Sequence, residues 1–196
     1  LKDFKALRGF SGEWAASLLP DGEQFIVQRK GNKVTAYGND GSLNLDVDDK
    51  KQFKALADKD FMLHVVRAGT EIHVVDLIEY DDTNVADMTV RERMKVLRGQ
   101  FDSHEHIIVP GPHNFRLTDH EGLQDAVDSL KEGGNRILLR DATSTYMRGE
   151  RRHPKWFLLR PPKRVTLIVL DVRGKGPYTY RLGAGPLDAE GFGNRG

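Results

Sequence analysis

The sequence predicts an α+β fold with a mainly antiparallel sheet, and three observations predict it. β-rich runs come in pairs joined by tight-turn residues, first around Gly31-Asn32 and again at Gly69. Segments with helical spacing of apolar residues are set between these pairs, without the regular strand–helix alternation of a parallel sheet. A length of 196 residues with 38% hydrophobic content supplies one sizeable core.

The elements follow in order. The run EWAASLL (13–19) ends in a sharp turn at Pro20-Asp21-Gly22. EQFIVQRK and KVTAYG flank Gly31-Asn32 as a hairpin, and NDGS makes a further turn. In DDKKQFKALADKD, Phe53, Leu56 and Ala57 fall at helical spacing and cover one face of a sheet. FMLHVVRAG and TEIHVVDLIEYDD form a second strand pair. TVRERMKVLRGQF is an amphipathic helix capped by Thr89, with Val90, Met94 and Leu97 inward. EHIIVPGP is a short strand. TDHEGLQDAVDSLKEGG is a helix with Thr118 or Asp119 as cap and Leu123, Ala126, Val127 and Leu130 inward. NRILLRD and KWFLLRP are strands around the loop ATSTYMRGERRHP, and Pro161-Pro162 breaks the chain. RVTLIVLDVRGKGPYTYRLGAGPL reads as a long strand, a glycine-rich loop and part of another strand. The break divides the chain into residues 1–162 and 163–196.

Charged residues make up 30% of the chain and its mean hydropathy is negative, as for a soluble domain. No run approaches the roughly 18 apolar residues of a membrane span. The absence of cysteine excludes disulfides and thiolate metal sites and fits an intracellular, cytoplasmic protein. A net charge of +1 creates no global field for nucleic acid, so any such site is a local patch. A start at Leu1 and an end in GFGNRG read as a piece of a longer polypeptide.

The order of these pieces resembles the nucleotidyltransferase (adenylation) domain of ATP-dependent DNA ligases and mRNA capping enzymes. That family's Lys-x-Asp-Gly-x-Arg motif is similar to Leu19-Pro20-Asp21-Gly22-Glu23-Gln24 ahead of a hairpin. Its Phe-Asp-Leu-Leu strand looks like Val75-Asp76-Leu77-Ile78, and its Leu-x-x-Arg helix like Val90-Arg91-Glu92-Arg93. Its Glu-Gly-Ile-Met-Leu-Lys-Asp motif looks like residues 135–141, from Asn135 through Arg140 to Asp141. Its Ser-Pro-Tyr loop is similar to TSTYMRGERRHPKW, and its Trp-Leu-Lys-Val-Lys-Pro to WFLLRP. The resemblance implies two antiparallel sheets with packed helices in an ATP-grasp-like arrangement, followed from residue 163 by the start of an OB-like barrel.

Within that frame the departures fall on the chemistry. Covalent nucleotidyl transfer needs an amine that attacks the α-phosphate, and the family's lysine position holds Leu19. Gln24 stands for its arginine, and His64-Val65-Val66 replaces an Asp-Gly-Glu strand, so that glutamate is absent. Asn135 replaces the metal-supporting glutamate. Leu158 replaces the first lysine of the last motif, and Arg160 the second. The residual site positions are Asp21, Gly22, Asp76, Asn135, Arg140 and Arg160. The resemblance thus implies a scaffold without its reaction and without a cofactor; ATP and Mg²⁺ enter only if the chain is an active ligase-like enzyme with a displaced nucleophile.

Other residues compete with simpler readings. Asp21-Gly22 also suits an ordinary turn after Pro20, and Asp76 an edge-strand carboxylate with a hydrogen-bond partner. Lys30 and Lys33 flank a turn and project into solvent, where an amine is a poor nucleophile. His104 and His106 share a strand face near Glu105 and His113, yet HEHIIVPGPH offers no dependable third metal ligand. The strongest patch is 148–164. It holds seven basic residues, Arg148, Arg151, Arg152, Lys155, Arg160, Lys163 and Arg164, against Glu150 alone, beside Tyr146 and the core-anchoring Trp156. DNA is the partner this patch implies. Another protein domain is the partner if the chain serves instead as a scaffold or an assembly part of a larger, for example viral, protein.

Overall fold

The computed structural model describes residues 12–111, 113–130, 136–147, 155–160, 168–173 and 179–183. The chain forms two compact units, Leu1–Pro161 and Pro162–Gly196. In the first, a four-stranded antiparallel sheet has the order β11 (Trp156–Leu159), β10 (Arg136–Asp141), β1 (Glu13–Leu19) and β9 (Phe115–Asp119). A second, larger sheet runs β4 (Gly41–Leu43), β3 (Lys33–Gly38), β2 (Glu23–Lys30), β5 (Phe61–Ala68), β6 (Glu71–Tyr80) and β7 (Thr83–Asn84). β8 (Ile107–Ile108) also joins β6, in parallel, so this sheet is not purely antiparallel. Three helices complete the described part of the unit: α1 (Val47–Ala55), α2 (Val90–Gln100) and α3 (Leu123–Leu130). In the second unit β12 (Ile168–Arg173) pairs antiparallel with β13 (Thr179–Gly183).

Local chemistry explains most boundaries. Gly31 and Gly69 take positive φ in the two expected hairpin turns, where a side chain would be strained. Thr89 caps α2 in a full capping box with Glu92, which satisfies donors at both ends of the first turn. Asp46 caps α1 by accepting from Asp49 N–H at 2.7 Å.

Two expectations are corrected. Thr118 and Asp119 do not cap a helix directly: they belong to β9, the edge strand paired with β1. Asp119 Oδ1 instead accepts from Gly122 N–H at 2.8 Å, just ahead of α3. β9 is short, and its brief apolar–polar alternation, FRLT, runs straight into residues that also suit a helix start. His104 and His106 do not share a strand face, because the strand there is only Ile107–Ile108. His106 lies in a turn, with its N–H on Gln52 Oε1 at 3.2 Å, and His104 Nε2 lies 3.3 Å from Ala55 O.

Alternation divides β1 between two cores. Trp14 and Ala16 pack with Leu123, Val127 and Leu130 of α3 and with Ile137 and Leu139 of β10. Ala15 faces the main core, where Phe25, Val27, Leu63, Val65 and Leu77 meet Phe53 of α1 and Val90, Met94 and Leu97 of α2. Among the described residues no helix is long and apolar enough to cross a membrane.

Candidate functional site

The inward positions of β6, α2 and β10 bring together three charged side chains. Asp76 is fully buried, and β6 has neighbours on both sides, so this carboxylate is central rather than at a sheet edge. Arg93 lies one turn beyond the Thr89 cap, on the same inward face as Val90, Met94 and Leu97. It grips Asp76 with two bonds of 2.8 Å, from Nε to Oδ1 and from Nη2 to Oδ2. Arg140, from the other sheet, donates through Nη1 to Asp76 Oδ2 at 3.0 Å and to Val75 O at 3.2 Å. Leu77 N–H completes the carboxylate at 2.8 Å. The network therefore ties both sheets and a helix to one anion.

Two cations share that single anion, and the excess is spread over neutral groups. Arg93 also donates to Met88 O. The Arg140 guanidinium lies 5.5 Å from the Trp156 ring centroid and that of Arg93 6.0 Å from Tyr146. Trp156 is itself fixed by Nε1–H to Ser144 Oγ at 2.9 Å. Burial opposes the charge on Asp76, but the Arg93 hydrogen bonds and the charges of both arginines outweigh it and hold the carboxyl below its usual range. Burial likewise lowers Arg140, against the pull of Asp76. His64 stands opposite Asp76 in the β5–β6 register, its ring edge-on to Tyr146 at 6.2 Å and its Nδ1 buried without a partner among the described residues. Burial, reinforced by Arg140 and only partly offset by Asp76, lowers its pKa to about 4, so it is neutral near pH 7.

Beside this network lies an apolar cluster of Leu19, Val66, Val75 and Leu138, each at most 8% exposed. Four strands contribute to it, and it contains two of the positions where the family resemblance expects charge, Leu19 and Val66. Leu158 pairs with Leu138 across β10–β11 and is 39% exposed. Where Leu19 ends β1, Arg136 lies opposite it and donates to Pro20 O at 2.8 Å, with its Nε 2.9 Å from Asp21 Oδ1. Asp21 is 86% exposed. Gly22 owes its identity to more than a turn: a Cβ there would lie 1.8 Å from Arg67 O, so β5 leaves no room for a side chain.

The remaining expected residues are scattered. Arg160 is exposed at the end of β11. Lys155 pairs with Asp141 at 3.1 Å, at the opposite end of the β1–β10 pair from Leu19. Asn135, Arg148, Arg151, Arg152, Lys163 and Arg164 lie outside the described residues. Sequence reasoning matched Arg93 to the Leu-x-x-Arg helix but gave it no site role; an arginine on the apolar stripe of a helix is the further signal that could have found it.

Neither a protein-family model nor a curated protein matches the sequence. Solved structures do. The ligase domain of M. tuberculosis LigD matches with a TM-score of 0.62 at 18% identity, over 82% of this chain and 58% of that one. A mycobacterial DNA ligase D complexed with ATP and MES matches with a TM-score of 0.57 at 19% identity, over 89% of this chain and 64% of that one. A structure described as Pmar-Lig_Pre matches with a TM-score of 0.56 at 19% identity, over 91% of this chain and 49% of that one. The chain thus spans between about half and two thirds of the structures it matches. At these identities the likeness shows the fold: the chain has the fold of the ligase (nucleotidyltransferase) domain of ATP-dependent DNA ligases.

Proposed function

We propose that this chain is a ligase-fold domain that does not carry out covalent nucleotidyl transfer and acts instead as a nucleic-acid-binding module. The observation that carries this reading is the burial of Leu19 against Val66, Val75 and Leu138. Where the family resemblance expects an ammonium and a carboxylate, positions 19 and 66 carry apolar side chains of one cluster. A complementary exchange of this kind supports a cleft repacked as core, since a lone change would leave a charge unpaired. Among the described lysines, Lys155 is held by Asp141 far along the strand pair from Leu19, and Lys30 and Lys33 sit at a hairpin tip. Incubation with labelled ATP or GTP and Mg²⁺, followed by denaturing electrophoresis, gives no labelled band. A band that disappears on changing one lysine establishes a displaced nucleophile and an active enzyme.

The nucleic-acid reading rests on the excess of basic residues in 148–164. Contacts from Arg148, Arg151, Arg152, Lys155, Lys163 and Arg164 are to phosphates, so affinity falls steeply with salt and depends little on sequence. Fluorescence anisotropy with labelled DNA tests this, and Arg151→Ala with Arg152→Ala lowers the salt slope by about 0.9 for each duplex phosphate no longer neutralised. Absence of binding at low salt removes the reading and favours a protein-scaffold role.

A further inference from the structure

The second sheet leaves part of one face uncovered. In antiparallel pairs, residues directly opposite each other share a face. The register Tyr37↔Ile26↔His64 therefore lays one row across β3, β2 and β5. Thr35↔Gln28 forms the next row and Lys33↔Lys30 the last, at the hairpin tip. The opposite face holds Phe25, Val27 and Val34 in the main core. On the open face Tyr37 is 43% exposed, Ile26, Gln28 and Thr35 are half-buried, and both lysines are exposed. Beyond His64 the row reaches the buried Asp76 on β6, and the His64 ring also meets Tyr146, which meets Trp156, edge to face at 6.2 and 5.9 Å. Of the carboxylates around this face, Asp76 is held by Arg93 and Arg140, and Asp40 stands exposed in the turn that follows β3. Asp60 holds Gly31 N–H at 2.7 Å, and Glu79 lies across the sheet on β6.

We propose that this face is a platform for an unpaired nucleic-acid strand, with Tyr37 as the stacking surface and Lys30 and Lys33 as phosphate contacts. The inference rests on the nucleic-acid reading above and adds to it the class of strand and a second contact surface. A flat sheet face with an exposed ring accepts a splayed base, which a duplex keeps inside its stack. Tyr37 and Lys33 are four residues apart on β3, about 13 Å, so the amines reach the backbone beside a base held on the ring. Half-buried Gln28 and Thr35 between them supply hydrogen-bonding groups without adding charge.

The test is fluorescence anisotropy with a short labelled DNA strand, alone and annealed to its complement. The single strand binds more tightly than the duplex. Tyr37→Ala weakens single-strand binding roughly tenfold while Tyr37→Phe retains it, because stacking needs the ring and not the hydroxyl. Lys30→Ala with Lys33→Ala lowers the salt slope by about 0.7 for each phosphate no longer neutralised. Unchanged urea midpoints confirm that the variants stay folded. Duplex binding at least as tight as single-strand binding, or equal affinities for Tyr37→Ala and Tyr37→Phe, overturns the platform. Binding that survives Tyr37→Ala but is lost in Arg151→Ala/Arg152→Ala also overturns it and leaves the nucleic-acid reading standing; no binding of either probe at low salt removes both.

Discussion

His64 turns the buried network into a measurable pH dependence. Its neighbours are Asp76 on the adjacent strand β6, Arg140 of the other sheet and Tyr146 from the loop after β10, and its pKa is about 4 against an ordinary 6.5. The folded pKa lies below the unfolded one. As pH falls below 6.5 the unfolded chain takes up a proton that the folded one refuses, so stability is lost from about pH 6.5 down to about 4 and is fully present above that window. Each unit of pH inside the window is worth 1.36 kcal/mol, which gives about 2 kcal/mol between pH 7.5 and pH 5. His64→Gln keeps a neutral polar side chain and removes the titration. Urea unfolding of both proteins at the two pH values isolates the effect, because all other groups cancel in the difference. With a urea slope of about 2 kcal/mol per molar, the wild-type midpoint falls by about 1 M more than that of the variant. Parallel pH profiles for the two proteins refute the reasoning, since they mean that His64 titrates in the folded state as it does in water.

Three further outcomes follow from the same packing. Asp76→Asn leaves two buried guanidiniums without their anion and costs about 3–5 kcal/mol in urea unfolding at neutral pH; a loss below about 1 kcal/mol means the network is hydrated. Gly22→Ala drives a methyl into Arg67 O and destabilises by about 1–3 kcal/mol, visible as a lower Tm by calorimetry, whereas Gly31→Ala strains only its turn conformation. Leu19→Lys places an ammonium in the apolar cluster and costs several kcal/mol; the folded fraction still takes no covalent label from ATP, and a labelled band from this variant shows that the rest of the ligase chemistry survived.

The buried network fits a domain whose two sheets are held together from within. A charged pair in the interior recovers its desolvation to the extent that its groups are satisfied. Here the carboxylate accepts from both arginines and from Leu77 N–H, and the excess positive charge rests on Val75 O, Met88 O and two aromatic faces, while Arg140 Nε is buried with no hydrogen-bond partner among the described residues. Apolar packing beside it, around Leu19, adds cohesion at the very place where the family resemblance expects a nucleophile.

The local elements were legible in the sequence because their causes are local. Gly31-Asn32 and Gly69 set hairpins within a few residues, the Thr89–Glu92 box starts α2 within one turn, and the spacing of Leu123, Ala126, Val127 and Leu130 marks the buried side of α3. The order of those pieces, read with the Asp21-Gly22 and Asp76-Leu77 motifs, was enough to name the fold. Only the tertiary structure decided what the motif positions do. Nothing near Asp76 in sequence shows that it is central and held by Arg93 and Arg140, 17 and 64 residues away. Nor does the sequence show that Leu19, Val66, Val75 and Leu138 converge from four strands, or that Gly22 is required by the backbone of Arg67. Turn chemistry and periodicity act along a few residues of chain. Burial, charge pairing and close backbone approach depend on which distant strands the topology makes neighbours.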